Sequence, residues 1–89
     1  MQNKFDLGCV VKATAGRDGG HLFIVVDVVD SVYVRIANGD NRSLEKPKLK
    51  KIKHLVFIER NDNIAEKLTN KTKVFDSEIF SALKKCSQK

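Results

Sequence analysis

The sequence predicts a mainly β protein that ends in α-helix: a small barrel or strongly bent sheet of about five strands, followed by two short helices. Three observations lead to this prediction. Short runs rich in β-branched and aromatic residues lie close together before residue 60 and are separated by turn signals. Beyond Arg60 the apolar residues recur at helical spacing. The 89 residues fit one small domain, which we divide into a barrel over 1–60 and a helical hairpin over 61–89 packed on it.

The first three predicted strands cover residues 8–13, 21–30 and 32–37. The second, HLFIVVDVVD, is so apolar that it must be buried on at least one face. The third, VYVRIA, alternates, so that its aliphatic residues share one face while Tyr33 and Arg35 share the other.

The remaining β segments follow the turn signal Asn38-Gly39-Asp40-Asn41. Residues 42–47 predict a short strand or arm, in which Pro47 excludes a central position in the sheet. Residues 50–58, KKIKHLVFI, predict a further strand that is basic at its start and apolar at its end. Closing these strands into a barrel would remove the exposed edges of a small sheet.

The first predicted helix begins near a cap at Asn61 or Asp62 and carries an apolar stripe of Ile64, Ala65 and Leu68. Because the segment is too short to be helical alone in water, we expect it to pack on the barrel or on a partner.

The second predicted helix lies within FDSEIFSALKKC, where Asp76 is the expected cap and Phe75 can pack against Phe80. Ile79, Phe80 and Leu83 are expected on its buried face. Phe80 is also one of three phenylalanines, with Phe23 and Phe57, that we expect in the core rather than in base stacking.

Most of the net charge of +6 is concentrated in residues 42–53, RSLEKPKLKKIK, where six cations stand against Glu45 alone. Clustered cations indicate a polyanionic partner, because they raise the local potential and release counterions on binding. A solvated edge strand protected by lysines explains the same charge equally well. Since lysines dominate, the segment favours contact with a phosphate backbone over recognition of base edges.

The glycine-rich segment AGRDGG does not have the spacing of a nucleotide-binding loop. Gly16, Gly19 and Gly20 do not match GxGxxG, the segment that follows is a strand, and the GK[ST] of a Walker loop is absent. The segment is therefore predicted to connect two strands, with glycines that accept positive φ angles.

The stretch VVKATAG-RDGG-HLFIVVDVV resembles the KOW motif of ribosomal and transcription-elongation proteins. In that motif a glycine ends the first strand, a second glycine lies a few residues later, and basic residues decorate the loop; Gly16 and Gly20 match the two glycines. The likeness, over about residues 7–57, is to the KOW domains of eukaryote-type fourteenth large-subunit ribosomal proteins and of bacterial KOW-type RNA-binding proteins. It implies an SH3-like barrel and association with RNA, chiefly ribosomal RNA, and with the ribosome.

The resemblance and the charge pattern together give a predicted RNA-binding set. It comprises Lys12, Gly16, Arg17, Gly19, Gly20, His21, Arg42, Lys46, Lys48, Lys50, Lys51 and Lys53.

No spacing of nucleophile, base and orienting residue indicates an enzyme, and we expect no cofactor, metal, small-molecule substrate or membrane partner. Cys9 and Cys86 are expected to be reduced thiols of a cytoplasmic protein, because no signal peptide precedes them. Ribosomal proteins are further expected partners. The alternative function is a protein-interaction module of the transcription or translation machinery, with the barrel and the helical residues Ile64, Leu68, Ile79 and Phe80 facing the partner.

Overall fold

The computed structural model describes residues 5–17 and 19–87. Its elements are β1 (Cys9–Ala13), β2 (Leu22–Val28), β3 (Tyr33–Ala37), β4 (Lys48–Lys51), a 3₁₀ turn (Ile52–His54), β5 (Leu55–Arg60), α1 (Asp62–Thr69) and α2 (Asp76–Ser87). Five antiparallel strands followed by two helices confirm the predicted fold class.

The sheet has the strand order β4-β3-β2-β1-β5, so β4 and β5 lie at its two edges. Only the three residues of the 3₁₀ turn join these edge strands. Since so short a connection cannot cross a flat five-stranded sheet, the sheet must curl until its edges approach each other. Irregularities in register after Val10 and Val25 contribute the bends. The result is the small barrel-like fold that the short strands predicted.

The fourth strand does not lie where the sequence placed it. Residues 42–47 form turns and bends, and the strand begins only after Pro47. The predicted strand over 50–58 is instead interrupted by the 3₁₀ turn, in which Ile52 packs against the inner core. The chain has to turn at this point, because it leaves one edge of the sheet and joins the other.

One hydrophobic cluster fills the inside of the curled sheet. Residues on alternate positions of β1 point inward, and they meet inward side chains of β2, β3 and β5. Its buried members are Cys9, Val11, Ala13, Phe23, Val25, Val34, Ile36 and Leu55. Every strand except β4 therefore contributes to the inner core.

A second cluster lies on the outer face of the sheet. Val10 and Ile24 point outward and are covered by Ile64 of α1 and by Ile79 and Leu83 of α2. This covering explains why the start of β2 is apolar without alternation: both of its faces are buried. Ile64 and Ala65 confirm the predicted buried stripe of α1, which half-buried Leu68 extends.

The two helices are capped differently. Asn61 caps α1 as predicted, since its side chain accepts a hydrogen bond from the N–H of Ile64 at 3.0 Å. The prediction for Asp76 was wrong: its carboxylate accepts from the N–H of Leu44 at 2.8 Å and so holds the β3–β4 connection against α2. Glu78 reaches back to the N–H of Phe75 instead, at 2.9 Å.

Gly39 is where that connection meets α2 most closely. Its φ is +76°, and a Cβ built there would lie 2.1 Å from the carbonyl oxygen of Asp76 and 2.8 Å from the backbone N of Phe80. Only glycine fits both the backbone conformation and the space.

Two of the three predicted core phenylalanines are not in the core. Phe23 is buried, but Phe57 is 36% exposed and Phe80 is 48% exposed. On α2 the buried positions are Ile79 and Leu83, one turn apart, and Phe80 lies about 100° around the helix from Ile79. Phe80 therefore lies off the buried face of α2, whereas Phe57 is opposite Val11 on the inner side of the edge strand β5 and is only partly covered there.

Candidate nucleic-acid interface

Residues 14–20, here called the glycine loop, connect β1 directly to β2, as predicted. Its base is closed by two backbone hydrogen bonds between the strands, from Ala13 N–H to His21 O at 3.1 Å and from Gly20 N–H to Ala13 O at 2.7 Å. Gly16 and Gly20 have φ angles of +76° and +88°. Because the N–H of Gly19 is bonded to Gly16 O and that of Gly20 to Ala13 O, these two glycine amides already have hydrogen-bond partners within the loop.

The glycine loop and the lysine-rich segment meet in space. Lys50 Nζ lies 3.3 Å from the carbonyl oxygen of Ala15. Thr14 donates both its backbone N–H and its hydroxyl to the carbonyl oxygen of His54, at 2.9 and 3.0 Å. Two regions that the sequence predicted separately, 35 residues apart at the Lys50–Ala15 contact, thus form one surface.

The lysines of β4 lie on both faces of the sheet edge. Lys48 and Lys50 are opposite Ile36 and Val34 in the antiparallel ladder, and residues directly opposite point to the same face. These two half-buried lysines therefore lay their aliphatic stems along the rim of the inner core and extend their ammonium groups beyond it.

The outer face of β4 carries Leu49 and Lys51, which are opposite Arg35 and Tyr33. Lys51 Nζ lies 5.9 Å from the centre of the Tyr33 ring, at the outer limit of a cation–π contact. The helices cover β1 and β2 rather than this part of the sheet, so an aromatic ring and two cations are left beside an exposed leucine. The alternation along VYVRIA was the signal for this face.

Several lysines in and near β4 have no ion-pair partner in the part of the chain that the structure describes. Among residues 5–17 and 19–87, Lys46, Lys50, Lys51 and Lys53 form no ion pair. Ion pairs elsewhere in the described chain include those that join Arg35 to Asp27, Arg60 to Asp62 and Lys67 to Glu78. Uncompensated ammonium groups on one edge produce a positive potential there.

The rest of the predicted set is divided between this surface and others. Arg17 lies exposed on the glycine loop and follows Gly16, where an added Cβ would lie 3.7 Å from Lys50 Nζ. Lys53 lies exposed in the 3₁₀ turn directly after β4. Lys12 points outward from β1, opposite Leu22 and Val56, on the other side of the sheet from Lys50.

Arg42 and Lys46 lie away from the lysines of β4. They belong to the connection that docks on α2, where half-buried Leu44 packs into the outer cluster. Gly20 and His21 also face α2, across an open depression. The structure therefore brings together Arg17, Lys48, Lys50, Lys51 and Lys53, and separates the other cations from them. We call these five residues the lysine edge.

Sequence reasoning did not find two exposed apolar features. Val56, Phe57 and Ile58 are exposed in succession on the edge strand β5, although their sequence is that of a buried strand. The ring of Phe80 lines the depression beside Gly20 and His21. The recurrence of Ile79, Leu83 and Cys86 on α2 was the signal that Phe80 lies off the buried face.

The two cysteines lie in different places and are not joined. Both are free thiols, as predicted. Cys9 is part of the inner core and Cys86 packs against the outer cluster. Burial raises the pKa of the Cys9 thiol, so it is a poor nucleophile. In the described part of the chain, no three His, Cys, Asp or Glu side chains are grouped so that they could hold a metal ion.

No protein-family model matches this chain, and no curated protein matches it. Neither α1 nor α2, nor any other helix among the described residues, is long and apolar enough to cross a membrane.

Proposed function

We propose that this protein binds folded RNA through its phosphate backbone, using the lysine edge as the contact surface. The observation that carries the proposal is the meeting of β4 with the glycine loop at Lys50 and Ala15, 3.3 Å apart. It gathers cations from two segments that are distant in the sequence at one edge of a compact β framework. Lysines 50, 51 and 53 there have no ion-pair partner among the described residues.

The chemistry of the edge favours phosphates over base edges. An ammonium group is a compact point charge without the planar fork that reads a guanine. Cations on both faces of one strand can reach phosphates on either side of a groove, which suits the irregular surface of a folded RNA. The KOW-like sequence suggests that the RNA is ribosomal RNA and that the protein binds the cytoplasmic ribosome.

Charge reversal on the edge tests the proposal. In the variant Lys50→Glu/Lys51→Glu we expect the affinity for folded RNA to fall by roughly tenfold or more at physiological salt, because two attractive contacts become repulsive. Binding is measured by fluorescence anisotropy with a labelled ribosomal RNA fragment. Co-sedimentation with ribosomes in sucrose gradients at low and high salt tests the RNA source.

The matched control is Lys71→Glu/Lys73→Glu. These exposed lysines lie between α1 and α2, and reversing them changes the net charge by the same amount. If both variants lost the same affinity for RNA, the effect would come from net charge alone, and binding at the lysine edge would be contradicted. Wild-type protein that binds no RNA at low salt would overturn the proposal itself.

A second candidate function is protein docking along β5. It is favoured by the exposed run of Val56, Phe57 and Ile58 on an edge strand, since such edges accept an added strand. The helices are less suitable for this role than expected, because Ile64 and Ile79 are buried against the sheet.

Point substitutions distinguish the two functions. Partner binding that survives high salt and Lys50→Glu/Lys51→Glu, but is lost in Val56→Lys/Ile58→Lys, would favour docking. Deleting residues 61–89 is not a usable test, because α1 and α2 cover Val10 and Ile24.

A further inference from the structure

An open depression lies between the end of the glycine loop, the turn after β3 and the outer side of α2. Its volume is about 430 Å³, within the range of about 300–1,000 Å³ for small-ligand pockets. The lining residues are Gly20, His21, Leu22, Asn38, Asp40, Phe80, Leu83, Lys84 and Ser87. We infer that this depression binds an unpaired guanine base of an RNA held by the lysine edge, with Phe80 as the stacking ring and Asp40 as the acceptor. This inference rests on the proposed RNA binding.

Phe80 supplies the stacking surface. Its ring is 48% exposed although it stands on a helix whose neighbouring Ile79 and Leu83 are buried. Leu22 and Leu83 extend the apolar wall of the depression. An exposed aromatic face in a concave apolar site is the usual platform for an unstacked base, and every base can stack on it.

Asp40 makes the site selective among the bases. Among the described residues its carboxylate has no hydrogen-bond or ion-pair partner; only its backbone N–H is used, by Asn38 Oδ1 at 3.0 Å. The Watson–Crick edge of guanine carries two adjacent donors, N1–H and N2–H, which match the two oxygens of a carboxylate. Adenine and cytosine offer one donor beside an acceptor, and uracil one donor between two acceptors, so a carboxylate repels part of each edge.

The glycine loop connects the depression to the proposed RNA surface. Gly20 lines the depression and is the last residue of the glycine loop, which Lys50 contacts at Ala15. A Cβ at Gly20 would have nothing within 4 Å, so the approach from the loop is open. Lys84 lines the opposite side and has no ion-pair partner among the described residues. Lys84 can therefore neutralise the phosphate of the nucleotide whose base enters the depression.

The test has two arms, and the first needs no RNA. Amide NMR spectra are recorded while guanosine 5′-monophosphate or uridine 5′-monophosphate is added to millimolar concentration. We expect guanosine monophosphate to shift the resonances of Leu22, Leu83 and Lys84, uridine monophosphate to shift them less, and Phe80→Ala to abolish the shifts. Asp40→Asn should remove the difference between the nucleotides. If guanosine monophosphate did not shift the resonances of the residues that line the depression, the inference would be overturned. Binding of a peptide in the depression would not rescue it.

The second arm compares RNA hairpins with guanine or uracil in the loop against a blunt duplex. Phe80→Ala and Phe80→Leu should each weaken binding to the guanine hairpin by about tenfold, the effect of losing one stacked base, and leave duplex binding unchanged. Phe80→Leu keeps an apolar side chain in place, so a loss there is not a folding defect. The control is Phe75→Ala, since Phe75 lies just before α2, is 55% exposed and is not among the residues that line the depression.

The two proposals fail in different ways. If Lys50→Glu/Lys51→Glu abolishes all RNA binding while Phe80→Leu changes nothing, RNA binding stands and the guanine site is overturned. If no RNA binds but guanosine monophosphate still shifts the resonances of the depression, the RNA-binding function is overturned and the depression is a site for the free nucleotide only.

Discussion

The two halves of the curled sheet have different surroundings. Strands β1 and β2 are packed on the inside by the inner core and on the outside by α1 and α2. Strand β3 buries Val34 and Ile36 on the inner side and Ala37 at its end. The outer positions Tyr33, Arg35, Leu49 and Lys51 of β3 and β4 are half-buried or exposed. The contacts of β1 and β2 stabilise the fold, whereas β3 and β4 present charged side chains at an edge of the sheet. The proposed binding surface and the contacts that stabilise the fold are thus separated within one small sheet.

The largest expected effect of this difference is on stability. Ile24 is fully buried on the outer face of β2, whereas Leu49 on β4 is exposed. We expect Ile24→Ala to lower the free energy of unfolding by about 2–5 kcal/mol, because it removes buried methylene groups and leaves a cavity. Urea unfolding followed by circular dichroism measures this change. Leu49→Ala should cost less than about 0.5 kcal/mol, and equal losses would contradict the comparison.

A smaller loss of stability is expected at Gly39, where the β3–β4 connection contacts α2. Gly39→Ala adds a Cβ where the Asp76 carbonyl oxygen lies 2.1 Å away, at a φ of +76°. We expect a loss of about 2–3 kcal/mol from the clash and the backbone conformation together. Gly20→Ala is the control: its φ is +88° but the space is empty, so only the conformational cost of about 1 kcal/mol applies. If Gly20→Ala lost more stability than Gly39→Ala, the clash with Asp76 would not be the reason for the loss at Gly39.

On the lysine edge the expected effect is on binding and not on folding. If about four of its cations meet phosphates, the logarithm of the affinity should fall with the logarithm of salt concentration with a slope of about −3 for single-stranded RNA, and more steeply for a duplex. Lys50→Gln or Lys51→Gln should each reduce that slope by about 0.7–0.9. Anisotropy titrations at several salt concentrations measure it. An unchanged slope in both variants would place the phosphates elsewhere on the molecule.

The smallest expected effect concerns the contact between the helices. The hydrogen bond from the Lys67 side chain, followed by that from the Phe75 N–H, lowers the pKa of Glu78. A carboxyl group whose pKa is lower in the native state stabilises the fold above its ordinary pKa, and this contribution is lost as the pH falls through the native pKa. We therefore expect the stability difference between wild type and Glu78→Gln to be constant near neutrality and to shrink in acid.

Thermal unfolding between about pH 3 and pH 7 measures this difference. In a Lys67→Gln background the pH-dependent part should become smaller, because the first cause of the lowered pKa is gone. If the stability difference between wild type and Glu78→Gln grew as the pH fell, the lowered pKa of Glu78 would be contradicted.

The sequence alone was sufficient for the fold class and for much of its detail. Strand propensity and turn signals predicted β1, β2 and β3, and helical spacing with a capping Asn61 predicted α1. It could not place β4, because Lys48–Lys51 is a strand only through its pairing with β3 and has no hydrophobic alternation of its own. Nor could it predict the break at Ile52–His54, which arises from the need to pass from one edge of the sheet to the other.

The candidate site divides in the same way. Local composition determined which residues carry charge and which glycines turn the chain, since both are properties of short segments. Only the tertiary structure decided that Lys50 meets Ala15, that Arg42 and Lys46 lie toward α2, and that Phe80 remains exposed. Those outcomes depend on how the sheet curls and which face the helices cover, and such contacts join residues too far apart in the chain for any local pattern to specify.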